Sequence, residues 1–388
     1  MRIAYVCQSY PPMLSGAAIV VEQLAEGMSA RDHSVTVVSA SDKGHPYSSS
    51  QNSIKITRFR SFSNPTRVGQ NVSLWPYRKI STEIKRFRPD IIHFHDPVLS
   101  AMSNLLLTEM IDVPSVVTIH QLPWTLGTFL PKSLFKAAET SLWRYGSWAL
   151  KQSKAVITPN QTIANLINEK IQIQPDVINN GVDLDLFSPE PNFPTEGQSL
   201  RQQYGLDPDL PIILYVGRLD ADKRVDRVID AAAKVFKSVD AQLLIIGDGT
   251  QRQAAILKAE NLGISHRAHL PGFVQADADL PGLYRLASVF VTASEIELHS
   301  LSMLEAEASE LPIVAFHSPG VRDQVSDGES GFLVPPGDVD AMADRIATLI
   351  KNPDRAQLMG QKSRVLAERY SLDHFIAEHE RYYQQILD

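Results

Sequence analysis

A chain of 388 residues, 44% hydrophobic and 21% charged, is long enough for two globular domains with separate cores and has neither a disordered nor a fibrous composition. Its formal charge of −7 hides an asymmetry, because residues 1–190 carry 18 Lys/Arg against 15 Asp/Glu and the remainder 19 against 29, so the acidic half offers no broad nucleic-acid footprint. The single cysteine, Cys7, excludes an internal disulfide and points to a packed thiol in a reducing compartment; with no secretory-signal pattern at the start and no apolar run near the ~20 residues of a membrane span, a cytoplasmic location is expected.

In chain order, apolar strands are predicted at 3–6, 35–39, 91–94, 116–119 and 155–158, with a helical pattern over 18–30 and helices between later strands. This βα repetition implies a parallel sheet covered on both faces. His93 and His95 flank Phe94 at a strand end, where alternation sends both rings to one face; a satisfied structural role outweighs a metal site, and no Cys/His group has metal-ligand spacing. Between Lys55 and Arg88 stand nine basic residues, including Arg58, Arg60, Arg86 and Arg88, against the one acid Glu83. Such a segment suits anionic lipid headgroups or an acidic soluble molecule. Phe129, Phe135, Trp143 and Trp148 interleave with Lys132, Lys136, Arg144 and Lys151, which fits either an interfacial helix or an ordinary core with a solvated face. The Pro-rich stretch 188–197 reads as a linker, a second βα series runs from Ile212 through Phe332, and 372–387 has helical spacing.

Two constellations in the second series carry chemistry. In IILYVGRLDADKRVD, 212–226, a strand ends at Gly217 and the chain presents Arg218 and Lys223 before a helix near Val225. Two cations beside a glycine suit a diphosphate, although Lys223 could instead pair with Asp220 or Asp222. Further strands end at Gly247, in LLIIGDGT, and near Phe273 and Val274, in HLPGFV. The stretch 293–316 reads as strand end, polar loop, helix and strand, with Glu297 and Glu305 eight residues apart across the loop-to-helix junction. There the N–H groups around His299, Ser300 and Leu301 could receive a phosphate, and the two carboxylates could hold hydroxyl-bearing rings of one ligand. The competing reading is a capping box, Ser302 with Glu305, with Glu297 a solvated charge.

Together with the opening RIAYVCQSYPPMLSGAAIVVEQLAEGM, then DIIHFHDP, TIH, AVITPN, INNGVD and the terminal YSLDHF, this ordered set resembles glycosyltransferase family 4, the retaining enzymes of the two-domain GT-B fold. The resemblance implies two Rossmann-like parallel-sheet domains facing a central cleft: an acceptor-binding domain over 1–187, a linker over 188–210, a sugar-nucleotide domain over 211–370, and a helix over 371–388 crossing back to the first domain. It implies that Arg218 and Lys223 bind the donor diphosphate, Glu305 the ribose hydroxyls, Gly16 the phosphate region, and Glu297 the donor sugar, with His120 facing the reacting carbon as hydrogen-bonding group or general base. No cofactor and no obligatory metal are implied. Where many members read E-G-F-G, this chain has Glu297, Leu298, His299, Ser300, closer to the polar loop of some bacterial glycolipid synthases. Ala17 likewise follows Gly16 where a second glycine is common.

The expected activity is therefore retaining transfer of a hexose from a UDP-glucose-like donor to a hydroxyl acceptor. The preferred acceptor is a lipid at the inner face of a membrane, with Trp124, Arg58 and Arg60 as candidate contacts. A soluble sugar or sugar phosphate is the alternative, and a sugar-nucleotide epimerase or a noncatalytic sensor would share the diphosphate cradle.

Overall fold

The computed structural model describes the chain outside residues 65–66, 74–76, 96–111, 122–131, 192–194, 276–277 and 296, and the side chains of 77 and 132–138 are also left undescribed. Two compact units divide it, one made of 1–180 with 373–388, the other of 181–372.

In the first unit β1 (Arg2–Val6), α1 (Gly16–Ala30) and β2 (Ser34–Ala40) open a doubly wound sheet. The run Ile3–Val6 is fully buried, as a strand covered on both faces requires. Ser15 starts α1 by accepting the Ala18 N–H at its hydroxyl, 3.0 Å away. A hairpin follows, β3 (Tyr47–Gln51) and β4 (Ile54–Phe59), then the short pair β5 (Phe62–Ser63) and β6 (Asn71–Val72), α2 (Tyr77–Phe87), β7 (Ile91–His95), β8 (Ser115–Thr118), α3 (Lys132–Leu150), β9 (Ala155–Thr158), α4 (Gln161–Ile171) and β10 (Asp176–Val177). The sheet order is β10-β9-β8-β7-β1-β2-β4-β3, parallel throughout except for β3 against β4. The basic stretch from Lys55 thus begins inside a strand that the sequence pattern did not reveal.

In the second unit α5 (Glu196–Gln203) precedes β11 (Ile212–Val216), α6 (Val225–Val235), β12 (Gln242–Ile246), α7 (Arg252–Asn261), β13 (Ala268–Gly272), α8 (Leu280–Leu286), β14 (Val289–Thr292), α9 (Leu301–Ala308), β15 (Ile313–Phe316), β16 (Gly331–Val334), α10 (Val339–Lys351) and α11 (Pro353–Ala367). All six strands are parallel in the order β13-β12-β11-β14-β15-β16. Alternation along β11 sends Ile213 and Tyr215 into one hydrophobic cluster and Ile212 and Leu214 into another on the opposite face. The order reverses between β11 and β14, where Ile213 pairs with Val289 and Leu214 with Phe290. Open parallel sheets bind ligands at the carboxyl ends of such a pair.

The last helix, α12 (Leu372–Leu387), returns to the first unit. Ile376 lies over Gly27, where an added Cβ would stand 2.2 Å from its Cδ1. Arg31 and His33 reach Glu380 at 2.9 and 2.8 Å, and Tyr383 bonds His93 at 2.6 Å.

Part of the stretch read as a linker is a packed helix. Glu196 at the start of α5 forms a two-bond ion pair with Arg285 of α8, at 2.7 and 2.9 Å, and both side chains are under 10% exposed. Leu200 packs where Gly282 has no side chain, since a Cβ there would come within 2.4 Å of it. Arg285→Ala would leave Glu196 buried and unpaired, a loss of about 3–5 kcal/mol. Thermal melts should show a large drop for that variant and a far smaller one for Glu196→Leu combined with Arg285→Met, where no buried charge is stranded.

Candidate active site

The loops leaving β11 and β14 meet at the switch point of the second unit. Lys223 and Glu297 come together there, Nζ to Oε1 at 2.5 Å, with both side chains under 20% exposed. Glu297 is therefore no solvated loop charge, and Lys223 does not pair with its neighbours Asp220 or Asp222. Those two aspartates hold Arg218 instead, one through a bond to Asp220 and one at 3.0 Å to Asp222. Burial works against the Arg218 charge, but Asp222 and Asp220 more than offset it and keep its pKa above the ordinary value. The backbone carbonyl of Arg218 accepts the Tyr215 hydroxyl at 2.9 Å.

The loop after β12 is locked to the same element. Asp220 accepts the Thr250 N–H and hydroxyl at 3.0 and 2.9 Å, and Leu219 exchanges backbone bonds with Asp248 and Gln251. Gly247 is required here: its φ is +137°, and a Cβ would stand 1.9 Å from the Gly217 carbonyl oxygen. Phe273, beyond the end of β13, is 51% exposed, and Val274 packs against the core.

Helix α9 begins at Leu301, with Ser300 as its N-cap making no side-chain cap bond. Ser302 lies inside the helix, so the capping box with Glu305 is not formed. Gln324 holds this helix start instead: its Oε1 accepts the Ser300 N–H at 2.8 Å and its Nε2 donates to the Ser300 carbonyl at 3.0 Å. The Ser300 N–H is thus already taken and not open to a phosphate. His299 is buried against Tyr370, ring centroids 5.2 Å apart, and burial lowers its pKa to about 3, so it brings no positive charge. Glu305 accepts the Tyr284 hydroxyl at 2.7 Å. Burial raises its pKa to about 7, with the Tyr284 bond pulling the other way. Glu307, one turn from Met303, is fully buried with neither oxygen hydrogen-bonded among the described residues, and burial pushes its pKa well above the ordinary carboxylate value.

The sequence pattern missed Gly320, Gln324 and Tyr284. Gly320 leaves room for the loop before α9, because a Cβ there would come within 2.0 Å of the Glu297 carbonyl oxygen. No periodicity signals any of the three; they are set by tertiary approach.

The first unit holds the other candidates. Gly16 is exposed at the first position of α1, and His120 follows β8 with its Nε2 2.8 Å from His95 Nδ1. Arg58 is not offered to an acceptor: it is 3% exposed and its guanidinium donates to the Tyr10 and Pro11 carbonyls, with Asp42 at 3.6 Å. Arg60 is exposed, 5.8 Å from the Phe62 ring centre, while Trp124 lies outside the described residues. Trp143 is buried and Trp148 half-exposed, so α3 divides the aromatics between core and surface. On α2, Arg78, Lys79, Lys85 and Arg86 are exposed opposite buried Ile80 and Ile84. Among the described residues no helix is long and apolar enough to cross a membrane.

Two family models match, "Glycosyltransferase Family 4" over residues 14–186 and "Glycosyl transferases group 1" over 197–365. The alpha-D-kanosaminyltransferase of Streptomyces kanamyceticus is 30% identical over 303 residues, 74% of this chain and 76% of that one. The chain belongs to glycosyltransferase family 4. The sulfoquinovosyl transferase SQD2 of Arabidopsis thaliana is 29% identical across 81% of the chain, which spans 60% of that relative's length. The alpha-monoglucosyldiacylglycerol synthase of Acholeplasma laidlawii is 22% identical over all of this chain and 98% of its own. A solved structure, Anabaena Alr3699/HepE in complex with UDP-glucose, superposes with a TM-score of 0.79 at 19% identity, covering 99% of this chain and 100% of that one. The fold is GT-B, and the protein is an enzyme that transfers a sugar.

The Glu305 carboxyl gives a pH signature. Its folded pKa, about 7, lies above the ordinary 4.5, so its contribution to stability is fully present below about pH 4.5 and is lost as pH rises through about 7. Glu305→Gln keeps an acceptor for Tyr284 without the ionisation. Thermal melts should show the variant gaining on the parent between pH 5 and pH 8; a pH-independent difference would contradict the assignment.

Proposed function

We propose that the protein transfers a hexose, with retention and without an obligatory metal, from a UDP-glucose-like donor to a hydroxyl of a lipid at an anionic membrane surface. The observation that carries the donor half is the pairing of Lys223 with Glu297 at the switch point of the second unit, on the loop that also carries Arg218 held by Asp222. On this reading the guanidinium and ammonium receive the diphosphate and stabilise its growing charge as the glycosyl bond breaks. Glu297 turns to the sugar hydroxyls and Glu305 to the ribose. The solved structure in complex with UDP-glucose and the monoglucosyldiacylglycerol synthase support this choice of donor and acceptor class.

Retention follows from front-side attack. The acceptor oxygen bonds to the anomeric carbon on the face that the diphosphate leaves, the carbon–phosphate oxygen bond breaks, and the acceptor proton passes to the leaving phosphate. His120 serves the donor sugar in this scheme. The exposed basic face of α2 supports the lipid acceptor, each Lys or Arg contributing about 1 kcal/mol near an anionic surface. The same basic excess also favours a second reading, an acidic soluble acceptor such as a sugar phosphate.

A product screen by mass spectrometry, offering UDP-, GDP- and ADP-sugars against a lipid extract and a soluble metabolite pool, tests both halves. A hexosylated lipid is expected, with cosedimentation on anionic vesicles that weakens with salt, because the attraction is screened beyond about 8 Å near physiological ionic strength. Reversing Lys79 and Arg86 to Glu should reduce both while leaving UDP binding intact. Arg218→Ala should weaken UDP binding by about 1.5–3 kcal/mol in calorimetric titration. A product confined to the soluble pool selects the second reading, and epimer exchange without transfer overturns the proposal.

A further inference from the structure

A group of buried histidines lies behind His120 in the first unit. His93 is bonded on both nitrogens, Nδ1 to the Tyr383 hydroxyl at 2.6 Å and Nε2 to the Thr118 hydroxyl at 2.7 Å. Its ring packs on that of His95, centroids 4.1 Å apart. His95 bonds His120 through Nδ1 to Nε2 at 2.8 Å with the rings within 14° of parallel, and its own Nε2 is buried with no hydrogen-bond partner among the described residues. Burial lowers the pKa of His93, His95 and His120, that of His120 to about 4, so each ring carries one proton near neutral pH.

That single proton allows two arrangements. If His120 donated from Nε2, His95 would accept at Nδ1 and carry its proton on Nε2, a buried N–H with nothing to receive it. If His95 donates from Nδ1, its Nε2 holds only an unused lone pair, and His120 carries its proton on Nδ1. Orphaned buried N–H groups are rarer and more unfavourable than orphaned acceptors, so the second arrangement prevails. We propose that His95 is a positioning residue that fixes His120 in the Nδ1–H tautomer, so that His120 offers a hydrogen-bond donor and no lone pair at its outer nitrogen. His93, held from both sides, keeps the His95 ring in place. The consequence for catalysis rests on the transferase reading above: His120 donates to a substrate oxygen and does not take the acceptor's proton.

The tautomer itself can be tested without any substrate. Protein labelled with ¹⁵N-histidine, with His120 assigned by its disappearance in His120→Gln, should show the His120 proton on Nδ1 in the long-range ¹H–¹⁵N spectrum. In His95→Phe the His120 nitrogens should move to averaged or Nε2–H positions, and in His95→Asn, whose amide can donate from nearly the same place as Nδ1, the Nδ1–H pattern should return. A parent spectrum with the His120 proton on Nε2 overturns the proposal even if the His95 variants fail to fold, and so does a pattern unchanged in His95→Phe. With a donor and acceptor pair from the product screen, kcat should fall at least ~10-fold in His95→Phe and recover in His95→Asn, at little change in KM for the donor. An Nδ1–H spectrum without transferase activity would keep the tautomer and remove the catalytic consequence.

Discussion

Everything at the strand-end site of the second unit depends on the parallel pairing of β11 with β14. Because Ile213 lies beside Val289 and Leu214 beside Phe290, the two strands end level with each other, yet the connections that follow them run to opposite sides of the sheet. Two loops distant in sequence therefore open side by side, and Lys223 reaches Glu297 across 74 positions. A slip of one residue in this register would exchange the side chains that β11 sends to its two hydrophobic faces and offset the two loops.

The charges in these loops are compensated before any ligand arrives. Arg218 is held by two aspartates and Lys223 by Glu297, so each cation is already oriented and partly desolvated. A diphosphate entering such a site replaces existing partners instead of ordering free side chains, which lowers the entropic cost of binding and limits the raw electrostatic gain. Asp220 extends the arrangement by bonding Thr250, and Gly247 allows the neighbouring turn to approach within reach of Gly217. Rigid support of this kind is what positioning catalysis needs.

Most strands of both sheets were legible because buried parallel strands are continuous apolar runs, and the strand predicted at 155–158 matches β9 residue for residue. The approach of Arg218, Lys223, Glu297 and Glu305 to one strand-end region was legible for the same reason, since each follows a recognisable strand. Pairing was not. Arg58 and Arg60 looked equivalent in a basic run, but strand β4 turns Arg58 inward to hold the Tyr10–Pro11 carbonyls and leaves Arg60 outside. Ser302 and Glu305 had capping-box spacing, yet the helix starts at Leu301 because Gln324, more than twenty positions away, secures Ser300. Contacts of that separation leave no periodic trace in a single sequence.

On the proposed reading Lys223 and Glu297 act as one unit on the donor. A double-mutant cycle of Lys223→Met and Glu297→Gln, read as UDP-glucose affinity by calorimetry, measures this directly. The two losses should fail to add, with a coupling of about 0.5–3 kcal/mol as expected for side chains in contact. Strict additivity, or UDP-glucose binding untouched by either substitution, would contradict it.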